Sequence, residues 1–215
     1  MYAKFFKRLL DFFLSLCALA VLSPILLVLI IIGAVAMKGN PFFTQKRPGK
    51  NEKIFKLIKF RTMTNAKDKE GNLLPDKDRV CAYGNFLRKT SLDELPELLN
   101  ILVGDMSIIG PRPLLVKYLP YYTDEERKRH SIRPGLTGYA QAHGRNAITW
   151  EKKFELDVWY VDNLTFATDV KVIIDTIKVV LSHDGVALNA LEDFDEYRKK
   201  QQLENADSEI GESAK

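Results

Sequence analysis

An uncharged apolar run near the N-terminus constrains this chain more than any other feature. It extends from Phe12 to Met37, 26 residues without a charged side chain, whereas a helix needs only about 20 residues to cross the hydrocarbon core of a bilayer. The run is too long for a cleavable signal peptide, whose apolar core has about 7–15 residues. The sequence therefore predicts a membrane segment over residues 1–37.

Two details favour a re-entrant helix over a straight span. Pro24 removes a backbone hydrogen bond at the centre of the run and bends the helix, and the Ser23 hydroxyl can satisfy a carbonyl that the bend frees. Because basic flanks stay cytoplasmic, a helix-break-helix that enters and leaves by one face suits a run with basic residues on both sides. A proline-kinked single span remains the alternative. The flanking basic residues are Lys4, Lys7, Arg8, Lys38, Lys46, Arg47 and Lys50.

The charge of the chain is small in sum but unevenly distributed. The net charge is +4, with seven basic residues and one acid up to Lys50, and eight acids and four bases from Glu192 onward. This pattern lacks the basic stripe of a nucleic-acid-binding domain and suits an anionic membrane surface near the N-terminus. Cys17 and Cys81 lie in an apolar and a polar segment, so we expect neither a disulfide nor a zinc site.

The remaining sequence predicts an α+β, predominantly helical fold, with a catalytic domain over 38–190 and a disordered acidic tail over 191–215. Two β-prone runs around a turn signal predict a short β-hairpin. Two later helices are amphipathic: the stripe of Phe166–Leu181 is expected to face the core, and the aromatic helix Trp150–Val161 is the better candidate for a membrane interface. The other predicted elements are strands Pro41–Gln45 and Ile54–Phe60 and helices Tyr83–Lys89, Ser91–Val103 and Tyr118–His130, the last with Thr123 as its cap.

An acidic pair, Asp93-Glu94, stands at the predicted start of the helix Ser91–Val103. A carboxylate in the first helical turn is stabilised as an anion, and an ionised aspartate can act as a nucleophile toward phosphorus or as an oxygen ligand for Mg²⁺. Ser91, with Glu94 three residues later, also matches a capping box. Taken alone, the pair favours a cap over a catalytic site.

Basic side chains from several segments could bind phosphate. Arg112 stands between Pro111 and Pro113, which restrict the backbone and reduce the entropy lost on binding. A guanidinium held in this way suits bidentate recognition of phosphate, although a solvated arginine in a proline-rich turn explains the pattern equally well. The full set of candidates is Lys59 and Arg61 on a predicted strand, Arg112, and Arg133 and Arg145 in glycine-containing loops.

Four motifs together resemble the bacterial sugar transferase family, the monotopic phosphoglycosyl transferases that start glycoconjugate assembly. Each motif is modest alone, but their order and spacing make a chance match improbable. The resemblance extends from the membrane segment to about Leu188 and is strongest to the small, minimal-core members. The motifs are Lys59–Met63, Ser91–Asn100, Gly104–Pro113 and Arg133–Gly138.

The resemblance implies a reaction. Members move a phospho-sugar from a UDP-sugar to a polyprenyl phosphate, usually undecaprenyl phosphate, and release UMP. Asp93 takes the place of the nucleophile that forms a covalent phospho-sugar intermediate, and Glu94 that of the residue that activates the polyprenyl phosphate. Mg²⁺ is implied near the pair, with Asp93 as a ligand. Asp157 could be a second ion ligand or a salt-bridge partner.

The resemblance also implies a location and partners. The family's membrane segment is a re-entrant helix broken at a Ser-Pro pair, here Ser23-Pro24. This implies a monotopic enzyme on the cytoplasmic face of the bacterial inner membrane, in contact with membrane lipids and with downstream glycosyltransferases as further partners, but not with nucleic acid. A membrane-anchored UDP-sugar hydrolase and a non-catalytic membrane-anchored interaction protein are the alternatives.

Overall fold

A computed structural model describes residues 2–144, 148–182 and 193–213. In this part of the chain the fold is α+β and predominantly helical, as predicted. The chain divides into two compact units, the first formed by Met1–Arg47 and Ile54–Ile108 and the second by Pro48–Lys53 and Ile109–Lys215. The first unit thus combines the apolar segment with the hairpin. The functional division at residues 37 and 190 stays a prediction.

The apolar run forms the long helix α1 (Lys7–Ala36), which follows a π-helical turn over Tyr2–Phe6. Among the described residues, α1 is the one helix long and apolar enough to cross a membrane. Pro24 lies inside it, and the Ser23 hydroxyl donates to the Ala20 carbonyl at 2.7 Å. Helical structure continues through Ser23-Pro24, so the predicted break is a proline within a continuous helix and not a non-helical interruption.

The rest of the first unit is a hairpin with short helices beside it. The hairpin is confirmed, and its two strands, β1 (Phe42–Pro48) and β2 (Ile54–Phe60), pair with each other. The Asn100 side chain fixes the helix Glu97–Val103 to the strand Ile54–Phe60. It accepts a hydrogen bond from the Ile58 N–H at 3.0 Å and donates one to the Lys56 carbonyl at 2.8 Å. The elements are β1 (Phe42–Pro48), β2 (Ile54–Phe60), α2 (Asp76–Arg79), α3 (Ala82–Thr90), α4 (Glu97–Val103) and β3 (Ser107–Ile109). The last residue of β3, Ile109, belongs to the second unit.

The N-terminal end of α1 is anchored to the first unit by charged side chains. The Arg8 guanidinium donates to the Ile101 carbonyl in the last turn of α4 at 2.6 Å. The buried Asp11 carboxylate accepts from the Ser107 hydroxyl at 2.8 Å and from the Ile108 N–H at 2.9 Å. These contacts satisfy an acid that would otherwise be costly in an apolar helix.

The other end of α1 packs on the same unit through apolar side chains. Leu29 is buried together with Phe60 of β2 and Leu87 of α3, and its carbonyl accepts from the Tyr83 hydroxyl at 2.9 Å. Between the two anchored ends, most of the large apolar side chains, such as Val21, are exposed. Helix α1 is thus held at both ends.

The second unit contains the remaining helices and one short strand. Thr123 caps α5 (Asp124–Arg127) through a capping box with Glu126, which confirms Thr123 as a cap. The predicted helix Tyr118–His130 is instead a short α-helix between two 3₁₀ turns, because Pro120 interrupts the ladder of backbone hydrogen bonds. The elements are α5 (Asp124–Arg127), β4 (Gly135–Thr137), α6 (Tyr139–His143), α7 (Trp150–Asp162), α8 (Phe166–Ser182) and α9 (Phe194–Ser213).

The burial of the two amphipathic helices is the opposite of the burial that the sequence predicted. The aromatic face of α7 is buried, since Trp150 and Phe154 pack in a core with Tyr118 and Tyr122. The apolar stripe of α8 is open instead, with exposed fractions from 37% to 72%. The prediction that this stripe faces the core is therefore wrong. The exposed side chains are Phe166, Val170, Ile173, Ile174, Ile177, Val180 and Leu181.

The prediction of a disordered tail is wrong at its start. Phe194 has no exposed surface and lies in the same core as Trp150. Lys117 Nζ lies 2.6 Å from Asp193 Oδ2, and the Tyr197 hydroxyl donates to Glu151 Oε1 at 2.6 Å. Phe194 and Tyr197 thus anchor the first turn of an otherwise polar segment that forms α9.

Candidate active site

Asp93 and Glu94 lie in a 3₁₀ turn, Leu92–Glu94, between α3 and α4. Ser91 ends α3 in the left-handed conformation, with φ of 55°, and its side chain makes no capping hydrogen bond. Helix α4 begins at Glu97, after Pro96, a residue that is favoured at helix starts. The capping-box explanation of the acidic pair is therefore wrong, and the pair stands in a turn of its own.

One lysine joins the turn to the first residue of α4. Lys59 Nζ lies 2.6 Å from Glu94 Oε1 and 3.1 Å from Glu97 Oε1. The Glu97 side chain is only 3% exposed, whereas those of Lys59 and Glu94 are partly open to solvent. The first unit thus brings Lys59 together with the acidic turn, in an ion pair that the sequence did not predict. Sequence reasoning missed Glu97, although its place one turn after Asp93 could have indicated it.

Lys59 lies on strand β2, which places it beside Glu94 and Glu97. Asn100 holds the backbone on either side of Leu57, so α4 and β2 are fixed to each other close to Lys59. Arg61, predicted on the same face of the strand, follows its last residue, and its N–H donates to the Pro41 carbonyl at 2.7 Å. Arg61 is half-buried, and its predicted contact with phosphate stays a prediction.

The second unit presents Arg112 on a loop that is fixed by backbone hydrogen bonds. The Gly110 N–H donates to the Thr137 carbonyl at 2.9 Å, and the Gly135 N–H donates to the Pro111 carbonyl at 3.0 Å. A Cβ at Gly110 would lie 2.4 Å from the Arg133 carbonyl oxygen, so glycine is needed for this close approach. The Arg112 side chain is exposed and that of Arg133 half-buried.

The buried ion pair of Arg129 and Asp157 contacts the backbone of the Arg112 loop. Asp157 Oδ2 accepts from Arg129 Nε at 3.0 Å and from Arg129 Nη2 at 2.8 Å, and the same Nη2 donates to the Arg112 carbonyl at 2.7 Å. Burial raises the pKa of Asp157, and the charge of Arg129 opposes that rise. The structure therefore favours the salt-bridge alternative for Asp157 over the role of metal ligand, because its carboxylate is buried and already bound by a guanidinium.

The predicted site residues thus fall into two sets. Lys59, Arg61 and the acidic turn belong to the first unit, whereas Arg112, Arg133 and Asp157 belong to the second. The prediction for Arg145 lies outside the described residues. Sequence reasoning missed Arg129, whose only signal is its place in a basic stretch before the Arg133–Gly138 motif.

The donors available for Mg²⁺ are few. Among the residues that the structure describes, no group of three or more His, Cys, Asp or Glu side chains is arranged to hold a metal ion. Mg²⁺ often takes only one or two protein carboxylates and completes its octahedron with waters and substrate phosphates. The half-buried Asp93 carboxylate, in a turn beside a second acid, fits that limited requirement.

Comparison with known proteins agrees with the motifs. Residues 2–183 match the family model of the bacterial sugar transferases. The uncharacterized sugar transferase EpsL of Bacillus subtilis (strain 168) is 51% identical over 180 residues, which cover 84% of this chain and 89% of EpsL.

Two relatives have names that state an activity. The undecaprenyl-phosphate galactose phosphotransferase of Salmonella typhimurium is 37% identical over 201 residues, 85% of this chain and 42% of that protein. The UDP-glucose:undecaprenyl-phosphate glucose-1-phosphate transferase of Klebsiella pneumoniae is 38% identical over 182 residues, 80% of this chain and 39% of that protein. The chain spans less than half the length of these two relatives. By the family match and by its identity with EpsL, the chain belongs to the bacterial sugar transferase family.

Proposed function

We propose that this protein is a phosphoglycosyl transferase that moves a phospho-sugar from a UDP-sugar to undecaprenyl phosphate, or to another polyprenyl phosphate, and releases UMP. The names of the Salmonella and Klebsiella relatives support this reaction class. The observation that carries the proposal is the acidic turn Leu92–Glu94, which contains Asp93 and in which Glu94 pairs with Lys59. This turn lies in the same unit as the apolar helix α1. That arrangement suits a reaction between a soluble nucleotide and a lipid phosphate, the first membrane step of glycoconjugate biosynthesis.

The proposed reaction has two displacements at one phosphorus. In the first, an Asp93 oxygen attacks the phosphorus that carries the sugar, an O–P bond forms, and the bridging O–P bond breaks so that UMP leaves with the electron pair. In the second, an oxygen of the polyprenyl phosphate attacks the same phosphorus and the bond to Asp93 breaks, which restores the carboxylate. Glu94 accepts the proton of the polyprenyl phosphate, and Lys59 keeps the Glu94 carboxylate in place.

The remaining site residues are proposed to bind or neutralise the negative charge of the substrate phosphates. Arg61, Arg112, Arg133 and Arg145 are proposed to bind phosphate oxygens of the two substrates, since guanidinium groups match them bidentately. Mg²⁺ is the proposed cofactor, with Asp93 as its protein ligand, and when bound it neutralises charge that develops on the phosphoryl oxygens.

We further propose that α1 is re-entrant and that the enzyme lies on the cytoplasmic face of the inner membrane. A straight helix would advance about 31 Å from Arg8 to Leu29, which is close to the thickness of the hydrocarbon core. Both residues contact the same folded unit, as expected for a helix that bends at Pro24 and returns to the face where it entered. The open stripe of α8 is proposed as a further membrane contact, in place of the predicted contact through α7.

The reaction is tested by measuring UMP release from a panel of UDP-sugars with Mg²⁺, with and without undecaprenyl phosphate. We expect turnover that needs the lipid acceptor, and a covalent phospho-sugar adduct that Asp93→Asn abolishes. Asp105→Asn, at an exposed aspartate of the same unit, is the control and should keep the adduct. Turnover without acceptor that yields free sugar phosphate would indicate a hydrolase, and no release from any UDP-sugar would leave a non-catalytic protein.

The topology is tested by cysteine labelling in intact cells or spheroplasts. In a variant without Cys17 and Cys81, single cysteines are placed at Lys4 and Lys50, on either side of α1. We expect an impermeant reagent added outside to reach neither position, and both to react after lysis. Labelling of one position only from the outside would contradict the re-entrant arrangement.

A further inference from the structure

Asn100, a buried residue of α4, makes hydrogen bonds through both its side chain and its backbone. The residue is only 2% exposed. Its side-chain oxygen accepts from the Ile58 N–H at 3.0 Å, and its side-chain nitrogen donates to the Lys56 carbonyl at 2.8 Å. Its backbone carbonyl accepts from the Asp105 N–H at 2.9 Å, beyond the end of the helix. Asn100 is therefore fixed both to the strand β2 and to the segment that follows α4.

The two side-chain bonds take the place of a neighbouring strand at one edge of β2. The sheet β1-β2 has two strands in the part of the chain that the structure describes, so one edge of β2 has no strand beside it. A strand edge of this kind presents unpaired N–H and C=O groups. A carboxamide offers an acceptor and donors, as a peptide group does, and Asn100 presents both to the backbone on either side of Leu57.

These bonds fix the register of β2, because they select one N–H and one carbonyl of the strand. Successive side chains of a strand point to opposite faces, so Lys59 shares a face with the buried Leu57. A slip by one residue would place Ile58 or Phe60 where Lys59 stands. Neither of these apolar side chains could pair with Glu94, whereas Lys59 Nζ lies 2.6 Å from Glu94 Oε1. The register therefore decides whether the acidic turn has its cation.

Glu97 gives α4 a second contact with the same part of the strand. Glu97 and Asn100 are three residues apart, which places them on one face of the helix. The Glu97 carboxylate lies 3.1 Å from Lys59 Nζ. Helix α4 thus holds the lysine at both of its ends, with Glu97 at the ammonium and Asn100 at the backbone just before it.

We propose that Asn100 is a positioning residue for the transfer of the phospho-sugar to the lipid acceptor. By fixing the register of β2, it keeps Lys59 on Glu94, the carboxylate that accepts the proton of the polyprenyl phosphate. This role rests on the proposed function, in which Glu94 acts in the second displacement. The placement of Lys59 by Asn100 rests on the contacts of the first unit alone.

A purely structural role is the competing explanation, in which Asn100 stabilises the unit without any effect through Lys59. Asn100→Ala removes both side-chain bonds. Asn100→Asp keeps the shape of the side chain and the acceptor for the Ile58 N–H, but it loses the donor to the Lys56 carbonyl. Asn85→Ala, at an exposed position of α3 in the same unit, is the matched control. The thermal midpoint of each purified variant shows whether the fold is kept, and Asn100→Asp carries the test if Asn100→Ala does not fold.

The first experiment separates the two displacements by rapid quenching of the full-length protein in nanodiscs. UMP released in one turnover without acceptor reports adduct formation, and loss of the adduct after addition of undecaprenyl phosphate reports transfer. A misplacement of about 1 Å can slow a step about 10²-fold. We therefore expect the Asn100 variants to slow transfer about tenfold or more, with adduct formation within about threefold of the wild type.

The control Asn85→Ala should match the wild type in both steps. Transfer at the wild-type rate in the folded Asn100 variants overturns the proposal. An equal slowing of both steps also overturns it, because that result indicates a general structural effect.

The second experiment determines whether Asn100 acts through Lys59. If it does, Asn100→Ala added to Lys59→Met should slow transfer no further than Lys59→Met alone, whereas independent effects multiply and would refute the positioning role. The same double-mutant cycle in urea denaturation needs no activity, and we expect non-additive effects on stability. If no UDP-sugar is turned over while this coupling is present, the proposed function fails and the placement of Lys59 by Asn100 stands. If transfer is unchanged and the stabilities are additive, the positioning role fails and the proposed function stands.

Discussion

Lys59 Nζ donates a hydrogen bond of 2.6 Å to Glu94 Oε1 and lies 3.1 Å from Glu97 Oε1, so one cation serves two carboxylates. The strand β2 supplies the cation, and the turn before α4 supplies Glu94. Since Glu97 is almost fully buried, the ammonium also offsets the cost of burying that charge. The pairing therefore connects the stability of the first unit to the geometry of the proposed site.

We expect Lys59→Met to lower both stability and activity. Loss of a hydrogen bond to charged groups should reduce the free energy of unfolding by about 2 kcal/mol, and kcat should fall at least tenfold because the Glu94 carboxylate loses its anchor. Lys59→Arg should recover part of both, since a guanidinium can still pair. Urea denaturation and UMP release measure the two effects.

The control for Lys59 is Lys56→Met on the same strand, where the side chain is exposed. It should leave both quantities near those of the wild type. Wild-type kcat in Lys59→Met would mean that Lys59 has no part in the reaction, and an unchanged unfolding free energy would mean that the ion pair is not stabilising.

A second prediction concerns the anchor of the apolar helix. Asp11 accepts hydrogen bonds from the Ser107 hydroxyl and the Ile108 N–H, so Asp11→Asn places an amide against at least one donor. We expect it to destabilise the first unit by about 1–3 kcal/mol. In a double-mutant cycle with Ser107→Ala, the coupling free energy should be about 1 kcal/mol.

The cycle for Asp11 is measured by thermal unfolding in detergent micelles. Cys17→Ser, at an exposed position of α1, controls for a general effect of substitution in this helix. Strictly additive effects of Asp11→Asn and Ser107→Ala would show that the two side chains do not interact.

Sequence patterns predicted the elements that are determined by residues close together in the chain. The apolar run, the β-hairpin and the cap at Thr123 follow from composition, turn residues and a capping box that is present in the structure. The predicted helix after Asp93 is present as α4, but the predicted capping box is absent, because Ser91 takes a left-handed conformation as the end of α3. An N-cap residue typically has backbone angles in the β region, and those of Ser91 lie in the left-handed region instead.

Features that depend on distant partners could not be predicted in the same way. The stripes of α7 and α8 look alike in sequence, and only the aromatic residues at Tyr118, Tyr122 and Phe194 decide that α7 is the buried one. The partner of Asp157 was equally hidden, since Arg129 is 28 residues away along the chain.

A third prediction concerns acid sensitivity. His130 is buried beside the ring of Tyr122, and burial, together with the charges of Arg129 and Arg127, lowers its pKa from 6.5 to about 3. The unfolded chain therefore binds a proton between these two pH values that the folded chain does not, so stability falls as pH falls below 6.5. Between pH 6.5 and 5 the loss should be about 2 kcal/mol.

The test for His130 compares the pH dependence of unfolding in the wild type and in His130→Phe. Carboxylates titrate in the same range, so the difference between the two curves isolates the histidine. Parallel curves for the wild type and His130→Phe would contradict the assignment.

The last prediction concerns the segment that the sequence suggested was disordered. Phe194 is fully buried against Trp150 and Phe154, so Phe194→Ala should cost about 3–5 kcal/mol of unfolding free energy. Leu203→Ala, at a position of α9 that is 66% exposed, should change stability by less than about 0.5 kcal/mol. Phe154 of the same core packs against Arg129, whose guanidinium donates to the Arg112 carbonyl. Phe194→Ala should therefore also lower activity, with recovery in Phe194→Leu. Wild-type stability in Phe194→Ala would mean that this segment is not part of the second unit's core.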